Sequence, residues 1–250
     1  MQNIKKIFVG GSVMSGKNIL WRLLDGHSEI TSNIMHSSLG YIVLSDGCKQ
    51  WFCRDIPGLE QNTLPFVPEF KLAYKTGEVA TITIGNFFYA LYNFTGYKTF
   101  HTWAKGDSVF VNMKEGETER FPFIFDIRNF ENRLEETLFV GRKVFTEDEV
   151  LDVIYSSYLD SIGDTTFKER SASQDRHFAD TLPNGINPIK MVAEKISSAK
   201  ILIMNRDLVS LLFANSVRMQ SYDSEFLIST SFRKTLFNQK RLRKETSAVS

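Results

Sequence analysis

An apolar strand, Ile7-Phe8-Val9, runs straight into Gly10-Gly11-Ser12-Val13-Met14-Ser15-Gly16-Lys17-Asn18 and from there into an amphipathic helix. No other stretch constrains the chain as tightly. The glycines let the backbone turn sharply, and a helix starting near Lys17 aims its unpaired N–H groups and the positive end of its dipole at one spot. Such a spot suits an anion, and the layout is that of a phosphate-binding loop. Read literally, Gly11 to Asn18 is G-x-x-x-x-G-K followed by Asn, where nucleoside triphosphatases carry Ser or Thr for a magnesium ion. The missing hydroxyl points away from a Mg-nucleoside triphosphate as the ligand.

The helix continues through Ile19-Leu20-Trp21-Arg22-Leu23-Leu24-Asp25, closes at Gly26 and leads into His27-Ser28-Glu29-Ile30. Taken together, Phe8 to Ile30 resembles the opening of the sulfotransferase family, especially its bacterial and carbohydrate-directed members, with a strand, G-G-S-x-R-S-G-T-T, an apolar helix and L-L-D-x-H-P-E-I. The chain departs from that pattern at Met14, where the family has Arg or Lys, at Lys17 and Asn18, where it has two Thr, and at Ser28, where it has Pro. The resemblance implies that Gly11, Ser12, Val13, Met14, Ser15, Gly16, Lys17 and Asn18 bind the 5′-phosphosulfate of 3′-phosphoadenosine 5′-phosphosulfate (PAPS).

A second segment matches the same family. Lys200-Ile201-Leu202-Ile203-Met204 is an apolar run of the kind buried in a parallel sheet, and it ends at Asn205-Arg206-Asp207 before a helix expected to reach Met219. In sulfotransferases the corresponding strand ends in R-D-P, and its Arg holds the donor's 3′-phosphate; Arg206 is the matching residue. Where the family has a Ser eight positions later, this chain has Ala214 followed by Asn215 and Ser216, either of which is a candidate replacement, Asn215 in the first instance. Upstream, Asp180-Thr181-Leu182-Pro183-Asn184-Gly185 and a helix from Ile189 to Ser198 are similar to the family's K-T-P-N segment and the helix after it, with Asp180 in place of the Lys.

The remaining sequence narrows the class. At 250 residues the chain suits a single domain. A formal net charge of +1 lacks the basic excess of a general nucleic-acid binder. No apolar run is long enough for a membrane span, and nothing between Met1 and the first strand resembles a secretion signal. Cys48 and Cys53 are too few for a disulfide framework or a zinc site, so a cytoplasmic protein with reduced thiols is expected. Of the 21 phenylalanines, the concentration between Phe52 and Phe145 reads as core, with an aromatic acceptor groove as the alternative. Residues from Cys48 to Lys75 read as irregular and exposed, and Asn86 to Phe94 as a short helix or strand. Helices are expected over Phe125–Leu138 and Thr146–Ser161, the second opened by a Thr146/Glu149 capping box. Asp164 to Asp175 reads as a polar loop, and the basic clusters at Arg233-Lys234 and Lys240 to Lys244 as a solvated terminal face.

The expected architecture is α/β: three layers around a central, mainly parallel sheet, like the P-loop NTPases. The loop at 8–30 and the strand and helix at 200–219 would flank the donor, and residues from about 41 to 167 would build the acceptor side. Sulfuryl transfer needs donors around the sulfate oxygens, a cation at the leaving oxygen and a base on the acceptor hydroxyl. Lys17 is the loop's cation. His36 lies close to where many relatives carry a Glu, and its near-neutral pKa suits a base; His27 is expected to cap the helix end, and His101 and His177 have no motif. The function expected is transfer of a sulfuryl group from PAPS to a hydroxyl, of a carbohydrate in the first instance, with no metal. Two alternatives stand beside it. One is a P-loop kinase or NTPase, against which the sequence offers no clear apolar strand ending in a Walker-B aspartate. The other is a sulfotransferase-like nucleotide-binding protein that has lost catalysis, motivated by Met14, Ala214 and Asp180.

Overall fold

The computed structural model describes residues 4–11, 15–25, 27, 29–33, 38–45, 67–94, 126–141, 144–162, 177–183 and 187–207. The main sheet is built from β1 (Lys5–Gly11), β2 (Ile30–Ser32), β6 (His177–Thr181) and β7 (Lys200–Met204). Their order is β2-β6-β1-β7 and every pairing is parallel. In register, Val9 lies beside Thr181 and Gly11 beside Met204, so the C-terminal ends of β1, β6 and β7 share one edge. A mostly parallel central sheet with helices is an α/β arrangement.

Helix α1 (Lys17–Asp25) connects β1 to β2 by passing over β6, and α6 (Asn187–Lys195) connects β6 to β7 by passing over β1. These crossovers run in opposite directions along the sheet. The right-handed rule for parallel connections therefore sends them to opposite faces. Side chains obey the alternation this requires: Ile4, Phe8 and Phe178 belong to the large core cluster, whereas Ile7, Val9 and Trp21 are buried outside it. The helix expected over Ile189–Ser198 spans Asn187–Lys195. The strand at Lys200–Met204 forms, but among the described residues it is an edge strand, with Leu202 and Ile203 each 37% exposed instead of buried within the sheet.

The second unit is a small sheet of order β4-β3-β5, from β3 (Glu69–Ala73), β4 (Val79–Thr83) and β5 (Val144–Thr146). β3 and β4 form an antiparallel hairpin; β5 joins β3 in parallel. This corrects the expectation of an irregular, exposed stretch up to Lys75, because Phe70 and Leu72 are both fully buried. Their period-two alternation with Glu69 and Lys71 is a strand pattern, obscured in the sequence by Pro68 and by its brevity. The choice left open at Asn86–Phe94 resolves to helix. α3 (Ile84–Phe94) follows β4 without a break, and the Thr83 hydroxyl accepts from the Asn86 N–H at 3.3 Å in the manner of an N-cap.

Phenylalanines fill this unit. The Phe70 ring meets Phe87, Phe139 and Phe145 edge-on at centroid distances of 6.0, 5.2 and 5.7 Å. Helix α4 (Ile127–Leu138) buries Ile127, Phe130, Leu134 and Leu138, a single stripe at helical spacing. Helix α5 (Glu147–Asp160) starts with the Thr146/Glu149 capping box read from the sequence. One contiguous cluster of buried side chains joins both sheets, from Ile4 through Phe70 and Tyr155 to Ile196.

A polar joint ties the units together. Glu147 is buried, and its carboxylate pairs with Lys195 Nζ at 3.0 Å and accepts from the Lys75 N–H at 3.1 Å. Lys195 also donates to the carbonyl of Leu44, at the end of α2 (Tyr41–Leu44), and Lys75 Nζ to that of Glu194. The hairpin turn, α2, α5 and α6 therefore meet at one buried carboxylate. Among the described residues, no helix is long and apolar enough to cross a membrane. The polar stretch 164–175, the helix expected to reach Met219, both cysteines and the C-terminal basic clusters lie outside the described residues.

Candidate functional site

At the end of β1 the backbone passes so close to its neighbours that only glycine fits. A Cβ on Gly11 would lie 2.6 Å from Ser15 Oγ and 2.7 Å from the carbonyl oxygen of Met204. Gly16 takes φ of 93°, which favours glycine, and its carbonyl then accepts from the Ile19 and Leu20 N–H groups to start α1. The first N–H groups of α1 are left without helical acceptors at the C-terminal edge of the sheet, which is the position for an anion.

Two side chains at this edge set it apart from ordinary packing. Ser15 is 4% exposed, yet its hydroxyl has no hydrogen-bond partner among the described residues. A buried hydroxyl without a partner carries a desolvation cost of about 1–3 kcal/mol, which a bound oxyanion would relieve. Lys17 turns its Nζ onto the carbonyl of Leu182, just past β6, at 2.5 Å. Among the described residues no carboxylate accompanies it, and burial lowers its pKa from 10.5 to about 8. The Thr181 hydroxyl, one residue before Leu182, is likewise buried without a partner.

Arg206 is exposed and lies two residues beyond the end of β7, at the same edge as Gly11. Of the sequence-derived candidates, the structure thus gathers Gly11, Ser15, Gly16, Lys17 and Arg206 along one side of the sheet. Ser12, Val13, Met14, His36 and Asn215 lie outside the described residues, as does the side chain of Asn18. His27 closes the end of α1: its N–H donates to the Leu24 carbonyl and its Nδ1 accepts from the Glu29 N–H at 3.2 Å.

Asp180 requires a correction. Asp180 lies within β6, next to its last residue Thr181 and directly beside β1, so the strand neighbouring the loop strand does carry an aspartate near its end. Its charge, in a run too short to stand out, hid it from the sequence pattern. The carboxylate is fully buried and saturated. One oxygen accepts from Asn33 Nδ2 at 3.0 Å, the Leu39 N–H at 3.3 Å and the Thr181 N–H at 2.9 Å. The other accepts from Ser38 Oγ at 2.8 Å, the Gly40 N–H at 2.9 Å and Tyr155 OH at 2.9 Å. Burial pushes the Asp180 pKa up while these donors pull it back, and burial together with the Asp180 charge raises that of Tyr155 well above its usual value. Tyr155 therefore remains a protonated donor, stacked on Phe178 at 4.3 Å.

Sequence reasoning missed Tyr155, Asn33 and Ser38 because only the folded chain brings them to Asp180. A lone carboxylate inside a strand was the one available signal, since such a group is buried only with partners. The chain matches no protein-family model, no curated protein and no solved structure.

Proposed function

We propose that this protein is a sulfotransferase that binds PAPS along the C-terminal edge of the main sheet and transfers its sulfuryl group to a hydroxyl acceptor, a carbohydrate being the favoured class. Ser15 carries the reading: a buried hydroxyl without a partner, at the start of α1, beside a lysine that has no carboxylate. The sulfotransferase-like spacing of the loop and of Arg206 then supplies the identity of the anion. The three-layer, P-loop-like arrangement belongs to the same proposal, with α1 and α6 on opposite faces of the sheet as support.

In this reaction a bond forms between the acceptor oxygen and sulfur while the sulfur–oxygen bond to the 5′-phosphate breaks. The electron pair remains on the phosphate and the acceptor's proton goes to a base. The N–H groups opening α1 and the Ser15 hydroxyl would hold the transferring group, Lys17 would neutralise the leaving phosphate, and Arg206 would hold the 3′-phosphate. His36 is the proposed base.

A kinase or NTPase reading draws on one observation, the aspartate of β6 beside the loop strand. Against it, both oxygens of Asp180 already accept three hydrogen bonds, so binding a magnesium ion would require breaking that set. A lapsed, nucleotide-binding sulfotransferase relative would share the donor site and differ only in turnover. Calorimetry with 3′-phosphoadenosine 5′-phosphate in the absence of magnesium separates these readings. Binding lost in Lys17→Ala and Arg206→Ala is the expected result. Magnesium-dependent binding of ATP with no affinity for the bisphosphate would replace the sulfotransferase reading with the NTPase one.

A further inference from the structure

We propose that Lys17 is a proton-coupled latch: in the free protein its amine holds the Leu182 carbonyl, and an oxyanion seated at the start of α1 draws it away as a full ammonium, with a proton taken up from solvent. The inference rests on the anion-site reading above and adds to it how the site responds to its ligand.

The geometry carries the argument. Lys17 belongs to the first turn of α1, where the helix dipole opposes a cation, and its sole partner among the described residues is a neutral carbonyl at 2.5 Å. A neutral amine can still donate to that carbonyl, though more weakly than an ammonium. The latch therefore holds the side chain in either protonation state. The charged and titratable groups on the described strands packed against α1 are Lys5 and Lys6 on β1, His177 and Asp180 on β6 and Lys200 at the start of β7, with Arg206 and Asp207 beyond its end. Asp180 is committed to the Tyr155 face of the sheet, and Lys6 to Asp148 and Asp152. None of them contributes to the lowered pKa of Lys17, which comes from burial alone and stands at about 8.

An oxyanion supplies the missing counter-charge. Pairing then returns the lysine to a pKa at or above its ordinary value, so proton uptake grows with pH. From a free pKa of about 8, uptake amounts to about one-tenth of a proton at pH 7 and about nine-tenths at pH 9. At pH 9 the phosphates of a nucleotide bisphosphate are already fully ionised and contribute no proton of their own.

The test is calorimetry of the whole chain with 3′-phosphoadenosine 5′-phosphate at pH 7 and pH 9, each in two buffers of different ionisation enthalpy. The 13Cε resonance of Lys17, assigned with Lys17→Arg, is titrated in parallel with and without the bisphosphate. Expected are a buffer-dependent heat at pH 9, nearly none at pH 7, and a resonance that titrates near pH 8 in the free protein and above pH 10 in the complex. Binding with equal heats in both buffers at pH 9, or a resonance that titrates above pH 10 in both states, overturns the latch and leaves the anion site standing. No binding at either pH overturns the site and the latch together.

Discussion

The two ends of β1 treat a lysine in opposite ways. Near the start of the strand, Lys6 is 2% exposed and is held by Asp152 at 2.6 Å and Asp148 at 2.8 Å, both on α5. Just past its end, Lys17 is half-buried with a backbone carbonyl and no carboxylate. A buried cation is tolerated when its counter-charge is built in, and it is costly when it is not. The first arrangement fastens helix to sheet. The second leaves a cation without a carboxylate among the described residues, the arrangement that the proposed anion site calls for. The same edge shows the contrast again, with Asp180 saturated and the Ser15 hydroxyl without a partner.

Removing a saturated group should do the most damage. Asp180→Ala leaves Tyr155 OH, Ser38 Oγ, Asn33 Nδ2 and three N–H groups without their acceptor, and at about 1–3 kcal/mol for each buried orphan the loss is expected to exceed about 4 kcal/mol. Urea denaturation followed by circular dichroism should show a variant that is unfolded or nearly so, whereas Asp180→Asn, which keeps one acceptor oxygen, should remain folded with a reduced midpoint. If Asp180→Ala keeps wild-type stability, the node is not structural and the contrast drawn at this edge is lost.

The paired lysine comes next. Lys6→Met strands Asp152 beside an apolar neighbour and is expected to cost about 3 kcal/mol, while Lys17→Met removes a poorly solvated cation and is expected to change stability by no more than about 1 kcal/mol, in the favourable direction. Binding of 3′-phosphoadenosine 5′-phosphate should show the reverse ranking, with Lys6→Met near wild type at temperatures where it stays folded and Lys17→Met without measurable affinity. Equal stability losses in the two variants would erase the distinction between the ends of the strand.

The least direct test is in pH dependence. Lys17 has a folded pKa of about 8 against an ordinary value of 10.5, so between those values the unfolded chain holds more protons than the folded one. Stability from this group should therefore increase as pH rises from about 8 to about 10.5, and be lowest below pH 8, where the folded protein carries the desolvated charge. Denaturation midpoints across this window, compared with those of Lys17→Met, isolate the contribution; a variant with the same slope as wild type would assign it to other groups.

Features written in local pattern were legible in the sequence. The β7 strand and the Thr146/Glu149 capping box are each set by residues a few positions apart, and both form where the sequence places them. The stripe Ile127, Phe130, Leu134, Leu138 belongs with them. Short strands were not legible: β3 is five residues beside a proline, and β6 has its apolar run cut by the aspartate that makes it informative. In the candidate site, Gly11, Ser15, Gly16 and Lys17 were named from the loop pattern and Arg206 from the family resemblance, but the Lys17–Leu182 contact joins positions 165 residues apart. No local pattern encodes a pairing of that kind. It exists because β6 and β1 are neighbours, a property of topology.

The Asp180 node also has a kinetic side. Its donors come from residues 33 and 38–40, from Tyr155, and from Thr181, with sequence separations of up to 147 residues. Contacts that close such long loops come after local ones on the path to the native state, because the chain must lose its entropy before the carboxylate finds its partners. The capped helix α5 and the β3–β4 hairpin can form from neighbouring residues alone, but the edge beside Gly11 is secured only when distant parts of the chain arrive together. Substitutions at Asn33, Ser38 or Tyr155 should then accelerate unfolding far more than they slow folding.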